Sequence, residues 1–315
     1  MHWFAQAPAN IALIKYMGKK DDRKNIPDNP SLSYTLNHLL SSVVLEPHSG
    51  KKDIWEPLHI PGATPFTLSP KAQQRYLNHL QFLKDHFQYS GSFVVRSTNN
   101  FPLGSGLASS ASSFAALTKC TILALSELER FDPPSIKKQA ELSRIGSGSS
   151  CRSFFSPWAL WEESDVKGVD LPYNKLLHQV IIISHAEKSV PSSEAHQRIK
   201  SSPGYLERPH RATENLKVLL IALHNQDWEN AYRICWREFH DMHQLFSSCS
   251  NPFSYMTEQS EELLRLIQKL WEKKGDGPIV TMDAGPNIHL LYRPEQSEMA
   301  KQFQHDNLVG NYDVL

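Results

Sequence analysis

Residues 102–110 carry the first group of side chains that could do chemistry, with the sequence Pro-Leu-Gly-Ser-Gly-Leu-Ala-Ser-Ser. Gly104 and Gly106 allow close backbone approaches that a side chain would forbid. Ser109 and Ser110 place hydroxyl groups beside the free backbone N–H groups of a starting helix, a site that attracts phosphate. A serine-capped linker has a similar composition, but the flanking strand and helix favour the phosphate site. The third glycine of the dinucleotide loop and the P-loop lysine are missing, so neither standard nucleotide class is predicted.

Residues 144–153 form a second Gly/Ser turn, Arg-Ile-Gly-Ser-Gly-Ser-Ser-Cys-Arg-Ser. Its glycines, among them Gly148, expose backbone N–H groups, and Ser147 and Ser149 add hydroxyl groups. Arg152 supplies a planar guanidinium that matches a carboxylate or a phosphate. Such a turn is also typical of a surface loop. We interpret it as a second anion site.

Three further polar side chains stand in apolar surroundings. Asn10 and Lys15 interrupt the strand-like run 5–16, and Asp283 follows an apolar run within 278–292. A lysine in such a run is often a surface residue whose stem lies along the protein, and an aspartate in a Gly-Pro turn is often only a cap. These readings stay open on the residues alone.

Hydrophobic periodicity predicts the elements that must position these residues. Alternation over 92–97 predicts a strand before the phosphate loop, and helical spacing from Ala111 to Leu125 predicts a buried helix after it. Further strands are predicted at 5–16, at 179–184 and, as a pair, within 278–292, and further helices at 69–87, 135–145, 216–223, 228–246 and 263–271.

Two of these regions carry specific expectations. Residues 31–36 and 42–46 are predicted to pair as antiparallel strands across a turn at Asn37 and His38. The helix over 69–87 shows one apolar face and is interpreted as a packing helix only.

Bulk composition limits the classes of protein that fit. The 315 residues suffice for two domains, which we expect at 1–184 and 185–315. Lys plus Arg and Asp plus Glu both number 33, so no net field draws the chain to nucleic acid or to an anionic membrane. No signal peptide and no apolar run of membrane-spanning length are recognised. We therefore expect a soluble, cytoplasmic protein.

The four cysteines are widely spaced and contain no Cys-x-x-Cys pair. This spacing argues against a zinc knuckle and against a redox motif, so reduced thiols are expected. His240 and His243 lie one helical turn apart, but no third metal ligand is marked, and a partly solvated helix face is the better interpretation.

The motifs together resemble those of the galactokinase, homoserine kinase, mevalonate kinase and phosphomevalonate kinase (GHMP) superfamily, and in particular its diphosphomevalonate decarboxylase family. Residues 7–19 resemble the first motif, with Met17 where a tryptophan is usual. Residues 102–112 resemble the second, and Asp283-Ala-Gly-Pro-Asn resembles the third. Residues 146–153 resemble the family's acceptor loop, although Phe-Phe-Ser-Pro follows instead of Gly-Gly. The resemblance extends from Ala7 to Tyr292.

This resemblance implies an α+β fold of two domains. The N-terminal domain would contain the superfamily's left-handed β-α-β connection, an exception to the right-handed rule. The C-terminal domain would be a ferredoxin-like α/β sandwich. The active site would lie in the cleft between them, and we expect the protein to be a homodimer.

The implied reaction is the ATP-dependent decarboxylation of mevalonate 5-diphosphate to isopentenyl diphosphate, with ATP and Mg²⁺ required. Asp283 would be the catalytic carboxylate at the 3-hydroxyl group, with Lys15 beside it. Arg152, steadied by Asn10, would bind the carboxylate that is lost.

The remaining implied contacts concern phosphate groups. The resemblance places these residues at the ATP phosphates: Pro102, Gly104, Ser105, Gly106, Leu107, Ala108, Ser109, Ser110 and Lys188, with Ser109 and Ser110 nearest the metal. It places these at the substrate: Tyr16, Lys19, Ser147, Gly148, Ser149, Arg152, Ser192 and Ser193. The stretch 188–196 fits only loosely, since Glu194 stands where a neutral or basic residue is common. The number of substrate 5-phosphates, one or two, therefore stays open.

Other functions are weaker fits. A kinase of the same superfamily would stop after phosphoryl transfer, which the combination of Lys15, Asp283 and Arg152 disfavours. A monophosphate decarboxylase is disfavoured by Lys19 and the second Gly/Ser turn. A binding protein without activity would be expected to lose a motif, and a serine hydrolase would need a Gly-x-Ser-x-Gly elbow with an assigned nucleophile.

Overall fold

The protein contains two large β-sheets, a small hairpin and helices packed against them, as seen in a computed structural model that describes residues 1–59, 67–101, 109–186 and 188–315. The strands are β1 (Trp3–Ile14), β2 (Lys19–Asp21), β3 (Ile26–Pro27), β4 (Ser31–His48), β5 (Ile54–Pro57), β6 (Ser92–Asn99), β7 (Trp158–Glu162), β8 (Asp165–Gly168), β9 (Leu177–Ile182), β10 (Ile279–Met282), β11 (Ile288–Tyr292) and β12 (Asp313–Val314).

The α-helices are α1 (Pro70–His86), α2 (Ser109–Leu128), α3 (Ile136–Gly146), α4 (Ser192–Arg198), α5 (Arg208–His224), α6 (Trp228–Ser248), α7 (Glu258–Lys274) and α8 (Ser297–Asn307). Short 3-10 helices cover Gly148–Phe154, Ile199–Ser201 and Pro294–Gln296. The α+β class predicted from the sequence is confirmed. Within the described ranges, no helix is long and apolar enough to cross a membrane.

The first sheet has the strand order β5-β6-β4-β7-β8, with β1 paired to β4. Strands β5 and β6 are parallel and are connected through α1, whereas the other pairs are antiparallel. Helix α2 is apolar on nearly every side and lies buried against β1 and β4. The helix that follows the 102–108 loop is therefore anchored along its length, which fixes its N-terminal end.

The hairpin predicted across Asn37 and His38 is wrong, because β4 is one continuous strand. Both of its halves pair with β1: Leu36 lies opposite Ala9, and Leu40 lies opposite Pro8. The residues between them have no partners in β1 and form an irregularity in the ladder. Polar residues that favour turns are thus accommodated in an exposed bulge.

The second sheet has the order β10-β11-β9-β12 and is antiparallel throughout. The expected domain boundary at 184/185 falls after β9, yet β9 is hydrogen-bonded to β11 and β12 of this sheet. We propose that the boundary precedes β9, in the segment 169–176 that follows β8.

The largest apolar cluster joins the two sheets. Ile11, Leu13 and Ile14 of β1 are fully buried in the same cluster as Phe239 of α6 and Ile279 of β10. Strand β1 is therefore hydrogen-bonded within the first sheet, and its side chains pack against α6 and β10 of the second half of the chain. Its end is held rigidly where the two halves meet.

Polar side chains cap the N-terminal ends of several helices. Ser69 accepts a hydrogen bond from the backbone of Ala72 at the start of α1, and Ser135 does the same for Lys138 at the start of α3. Thr257 and Ser260 form a reciprocal capping box at α7. The predicted helices at 69–87, 135–145, 228–246 and 263–271 are confirmed within a few residues.

Candidate active site

One pocket gathers the predicted site residues from both halves of the chain. Every such residue that the structure describes lines it: Asn10, Lys15, Tyr16, Lys19, Ser109, Ser110, Ser147, Gly148, Ser149, Arg152, Lys188, Ser192, Ser193 and Asp283. The other predicted nucleotide contacts lie outside the described residues: Pro102, Gly104, Ser105, Gly106, Leu107 and Ala108.

A buried ion pair lies at the junction of the two sheets. Lys15 follows the end of β1, and Asp283 follows the end of β10. The Lys15 Nζ atom lies 2.7 Å from Asp283 Oδ1, and the lysine side chain is only 2% exposed. The reading of Lys15 as a surface residue is therefore wrong.

The charges of this pair depend on each other. Burial acts to raise the pKa of the Asp283 carboxyl, but attraction to Lys15 and its hydrogen bond outweigh burial, so that pKa lies below its ordinary value. Burial lowers the pKa of the Lys15 ammonium, and attraction to Asp283 opposes this change. The pocket thus holds an ionised carboxylate that is ready to accept a proton.

Arg152 provides a second buried charge. Its Nε donates to Asn10 Oδ1 at 3.2 Å, and its Nη1 donates to Ser31 Oγ at 2.8 Å. The Asn10 amide is itself fixed because it donates to Ser153 Oγ at 2.8 Å. In the described ranges no carboxylate lies within ion-pair distance of Arg152, although the side chain lines the pocket and the residue is 3% exposed. A buried guanidinium without an anionic partner is a strong site for an anion.

The two Gly/Ser segments meet in the pocket. Ser147 Oγ donates to Ser110 Oγ at 3.4 Å. This hydrogen bond connects the second Gly/Ser turn, residues 146–153, here called the acceptor turn, to the first turn of α2. Gly148 is required where it stands, since a Cβ atom there would lie 2.7 Å from the Tyr16 hydroxyl. That hydroxyl is buried and has no hydrogen-bond partner in the described part of the chain. It is available to a ligand.

Lys19 lies at a cationic end of the pocket. Its Nζ donates to Asn25 Oδ1 at 2.7 Å, and the Asn25 amide donates to the Arg144 carbonyl at 2.8 Å. Burial lowers the pKa of Lys19, the Asp22 carboxylate opposes this change, and the nearby positive charges of Arg75 and Lys200 add to it. A bound anion would relieve this repulsion.

Arg75 is the main pocket residue that sequence reasoning missed. It lies on α1, where its Nη2 donates to the Gly146 carbonyl at 2.7 Å and its guanidinium stacks 4.8 Å from the Phe114 ring centroid. Helix α1 was interpreted only through its apolar face, and a single arginine beside that face carries no pattern. Other lining residues were missed as well: Ala12, Met17, Asn25, His196, Met242 and Ala284.

The segment around Lys188 forms another wall of the pocket. Lys188 Nζ donates to Ser192 Oγ at 3.3 Å, at the N-terminal end of α4. Burial lowers the pKa of Lys188, and Asp283 opposes this effect. Glu194, the residue that fitted poorly, accepts a hydrogen bond from Arg198 Nε at 2.8 Å within its own helix. Its charge is therefore balanced outside the lining of the pocket.

The donor set suits phosphate and a metal bound through phosphate. Ser109 and Ser110 begin α2, and its first turn contains no acidic residue that would repel an anion. Among the described residues there is no cluster of three or more His, Cys, Asp and Glu side chains that could hold a metal. A magnesium ion would therefore be bound mainly by nucleotide oxygens and serine hydroxyls.

The histidines of α6 are engaged with backbone groups. His240 Nδ1 donates to the Trp236 carbonyl at 3.1 Å, and His243 Nε2 donates to the Asp283 carbonyl at 3.1 Å. The predicted partly solvated helix face holds for His240, which is half-buried, but is wrong for His243, which is buried against the Asp283 backbone. His243 lies directly beneath the predicted catalytic carboxylate.

Comparisons with known proteins converge on one family. The family model of the diphosphomevalonate decarboxylase-like N-terminal domain matches residues 7–170. The family model of the mevalonate 5-diphosphate decarboxylase C-terminal domain matches residues 179–309. The diphosphomevalonate decarboxylase of Ganoderma lucidum is 31% identical and covers 93% of this chain and 78% of its own length. That of Saccharomyces cerevisiae is 27% identical, with coverages of 92% and 77%.

Solved structures give the same result. A mevalonate diphosphate decarboxylase from Legionella pneumophila is 63% identical, with a TM-score of 0.95 and full coverage of both chains. The enzyme from Enterococcus faecalis is 26% identical, with a TM-score of 0.87 and coverages of 100% and 96%. A structure described as MDDEF in complex with MVAPP, AMPPCP and magnesium is 27% identical, with the same TM-score and coverages.

Replacing Lys15 with methionine should raise the pKa of the Asp283 carboxyl above its ordinary value of about 3.9, because burial then acts without the strongest opposing charge. In the wild type the depressed pKa stabilises the fold above the unfolded-state pKa, and this stability is lost as the pH falls through the lower folded value. In Lys15→Met the raised folded-state pKa reverses this linkage, so the stability that Asp283 contributes should increase as the pH falls through that pKa. Carboxyl ¹³C NMR titration measures the change, and an Asp283 pKa equal to that of the wild type would contradict the role of the ion pair.

Proposed function

The chain belongs to the diphosphomevalonate decarboxylase family, and on that premise we propose how its pocket carries out ATP-dependent decarboxylation in the mevalonate pathway. The substrate is mevalonate 5-diphosphate, and the products are isopentenyl diphosphate, ADP, phosphate and carbon dioxide. One observation carries the residue assignment: the 2.7 Å ion pair of Lys15 and Asp283 shares a pocket with Arg152, which has no carboxylate partner among the described residues.

Asp283 is assigned as the base. A tertiary hydroxyl is a poor nucleophile until its proton is taken, so an ionised carboxylate is needed beside it. The depressed pKa of Asp283 keeps that carboxylate ionised at neutral pH. The Lys15 ammonium offsets the negative charge that develops on the 3-oxygen as the proton moves to Asp283.

Arg152 is assigned to the carboxylate that leaves. Asn10 and Ser31 already occupy its Nε and Nη1 groups on the protein side, which fixes the plane of the guanidinium. The Nη2 group has no protein hydrogen bond in the described ranges and is free for the substrate. Holding the carboxylate in one orientation aligns its carbon–carbon bond for cleavage as the phosphate attached to the 3-oxygen departs.

The nucleotide phosphates are assigned to the N-terminal end of α2 and to Lys188. Ser109 and Ser110 offer hydroxyl and backbone N–H donors there, and Lys188 adds a positive charge from the opposite wall. Mg²⁺ bound with the nucleotide supplies further neutralisation of phosphate charge, which is the main need of phosphoryl transfer. The related structure with AMPPCP and magnesium supports this requirement.

The substrate diphosphate is assigned to the cationic end of the pocket. Lys19 and Arg75 provide positive charge there, and the free Tyr16 hydroxyl provides a donor. The acceptor turn adds Ser147, Gly148 and Ser149, and α4 adds Ser192 and Ser193. Two lysine or arginine charges in one region favour a diphosphate over a monophosphate.

We also propose a cytoplasmic location. The four cysteines are free and buried, which suits a reducing compartment. Fractionation of the source cells, followed by immunodetection, tests this proposal.

A homodimer is proposed from an apolar surface on α5. Val218 and Ile221 lie one turn apart and are 46% and 60% exposed. Leu220 and Ile221 border a surface groove with Val169 and Leu171. Contiguous exposed apolar residues mark association surfaces. Sedimentation velocity should give twice the chain mass, and Ile221→Asp should give a monomer; a monomeric wild type would contradict the proposal.

Asp283→Asn keeps the shape of the side chain and removes the proton acceptor. We expect carbon dioxide release to fall on the order of 100- to 10,000-fold, with nucleotide affinity near that of the wild type. Single-turnover release of ¹⁴CO₂ and a nucleotide titration measure the two effects separately. Release at the wild-type rate would overturn the assignment of Asp283.

Lys19→Ala should raise KM for the phosphorylated substrate far more than it lowers kcat, because the lost charge contacts the diphosphate and not the reacting carbon. The assay compares mevalonate carrying zero, one or two 5-phosphates and scores ADP and carbon dioxide separately. Lys20→Ala is a matched control, since that exposed neighbour does not line the pocket. ADP without carbon dioxide would indicate a kinase, and equal turnover of the monophosphate would contradict diphosphate recognition.

A further inference from the structure

Helix α6 contacts the backbone of both members of the catalytic ion pair. Glu238 Oε1 accepts a hydrogen bond from the Lys15 backbone N–H at 3.0 Å. Five residues later on the same helix, His243 Nε2 donates to the Asp283 carbonyl at 3.1 Å. We propose that Glu238 and His243 are positioning residues, and that the rigid helix between them sets the distance between the Lys15 ammonium and the Asp283 carboxylate.

The two strands that carry the pair need such a device. Lys15 follows β1 of the first sheet, and Asp283 follows β10 of the second sheet. No strand ladder joins β1 to β10 in the described chain. The two strands share a side-chain hydrogen bond, from Thr281 Oγ1 to the Ala12 carbonyl at 3.1 Å, so packing and this contact set their separation rather than a sheet. Helix α6 packs against both strands and is the element that the two ends have in common.

The surroundings of Glu238 indicate a role beyond stability. Its side chain is fully buried and is paired with the fully buried Arg208. Arg208 Nη2 also donates to the Lys15 carbonyl at 3.2 Å, a carbonyl that accepts from Asn29 Nδ2 at 2.8 Å as well, so this ion pair contacts both backbone polar groups of Lys15. Buried ion pairs contribute little net stability compared with apolar packing, because both charges lose their hydration. What this pair supplies is a fixed position for Lys15.

His243 holds the other side without adding charge. The carbonyl of Asp283 can only accept, so Nε2 carries the proton and Nδ1 does not. Burial lowers the pKa of His243 to about 3, which keeps the ring neutral at neutral pH. A neutral donor fixes the Asp283 backbone and leaves Lys15 as the cation that faces its carboxylate.

The inference rests on the proposed function for its kinetic test. His243→Leu replaces the donating ring with an apolar side chain. A displacement of about 1 Å at a reacting group costs on the order of 100-fold in rate. We expect kcat to fall roughly 10- to 100-fold with KM for both substrates within about twofold of the wild type. His243→Gln, which retains an N–H donor, should recover most of the lost rate. Glu238→Gln should show the same division between kcat and KM.

His240→Leu is the matched control, because His240 lies on the same helix and, in the described part of the chain, its hydrogen bond is to the Trp236 carbonyl and its ring contacts are with Trp236 and Phe239. This variant should keep the wild-type kcat. Urea unfolding of all variants measures stability in parallel. A loss of stability in His243→Leu with an unchanged kcat of the folded protein would show a structural role only and would overturn the proposal.

A readout that needs no turnover separates this inference from the proposed function. If α6 sets the distance between the Lys15 ammonium and the Asp283 carboxylate, the pKa of the Asp283 carboxyl in His243→Leu should rise toward that in Lys15→Met. A ¹³C NMR titration of the full chain measures this pKa. An unchanged pKa overturns the positioning role even if the wild type decarboxylates its substrate. A wild type that releases no carbon dioxide overturns the proposed function, while a raised pKa in the variant still supports the positioning role.

Discussion

The proposed active site depends on burying a lysine ammonium next to an aspartate carboxylate. Removing Lys15 from water is costly, and the attraction to Asp283 offsets this cost only while the two groups stay at hydrogen-bond distance. The surrounding architecture meets this condition. Strand β1 ends one residue before the lysine, β10 ends one residue before the aspartate, and helix α6 contacts the backbone of both. The ion pair therefore requires the two sheets to keep a fixed relative position.

The sequence pointed to residues that the structure brings together in one pocket, because several of them fit badly in their local context. Asn10 and Lys15 interrupt an apolar strand, and Gly148 stands where a side chain would meet the Tyr16 hydroxyl. Polar residues within an apolar run are informative because hydrophobic packing does not explain them. All predicted residues within the described ranges line one pocket, although they come from segments far apart in the chain.

What could not be predicted depends on tertiary contacts. The turn expected at Asn37 and His38 follows local propensity, whereas pairing of both halves of β4 with β1 overrides it. Strand β9 carries no signal of which sheet it joins. Arg75 and His243 reach the site from helices whose sequence patterns describe only an apolar face. Each of these unpredicted features depends on which elements contact each other, and hydrophobic periodicity carries no information about such contacts.

The departures from the family pattern are absorbed locally. Met17 is buried with Val190 and Met242, so a flexible apolar side chain fills the place of the usual ring. Phe154 and Phe155 pack beside Trp161 at the end of the acceptor turn, where the family has glycines. Met17 lines the pocket, whereas Phe154 and Phe155 pack outside its lining.

The shared apolar cluster of β1, α6 and β10 also determines how the polypeptide can reach its native state. An isolated N-terminal half would present Ile11, Leu13 and Ile14 to water, and an isolated C-terminal half would present the facing surface around Phe239. Each buried aliphatic side chain contributes about 1.5–3 kcal/mol, so neither fragment retains the stability of the whole. The chain must therefore complete its last strands before its first strand is fully covered. During synthesis β1 stays partly exposed until the C-terminal residues leave the ribosome, and it is the segment that a chaperone would need to protect.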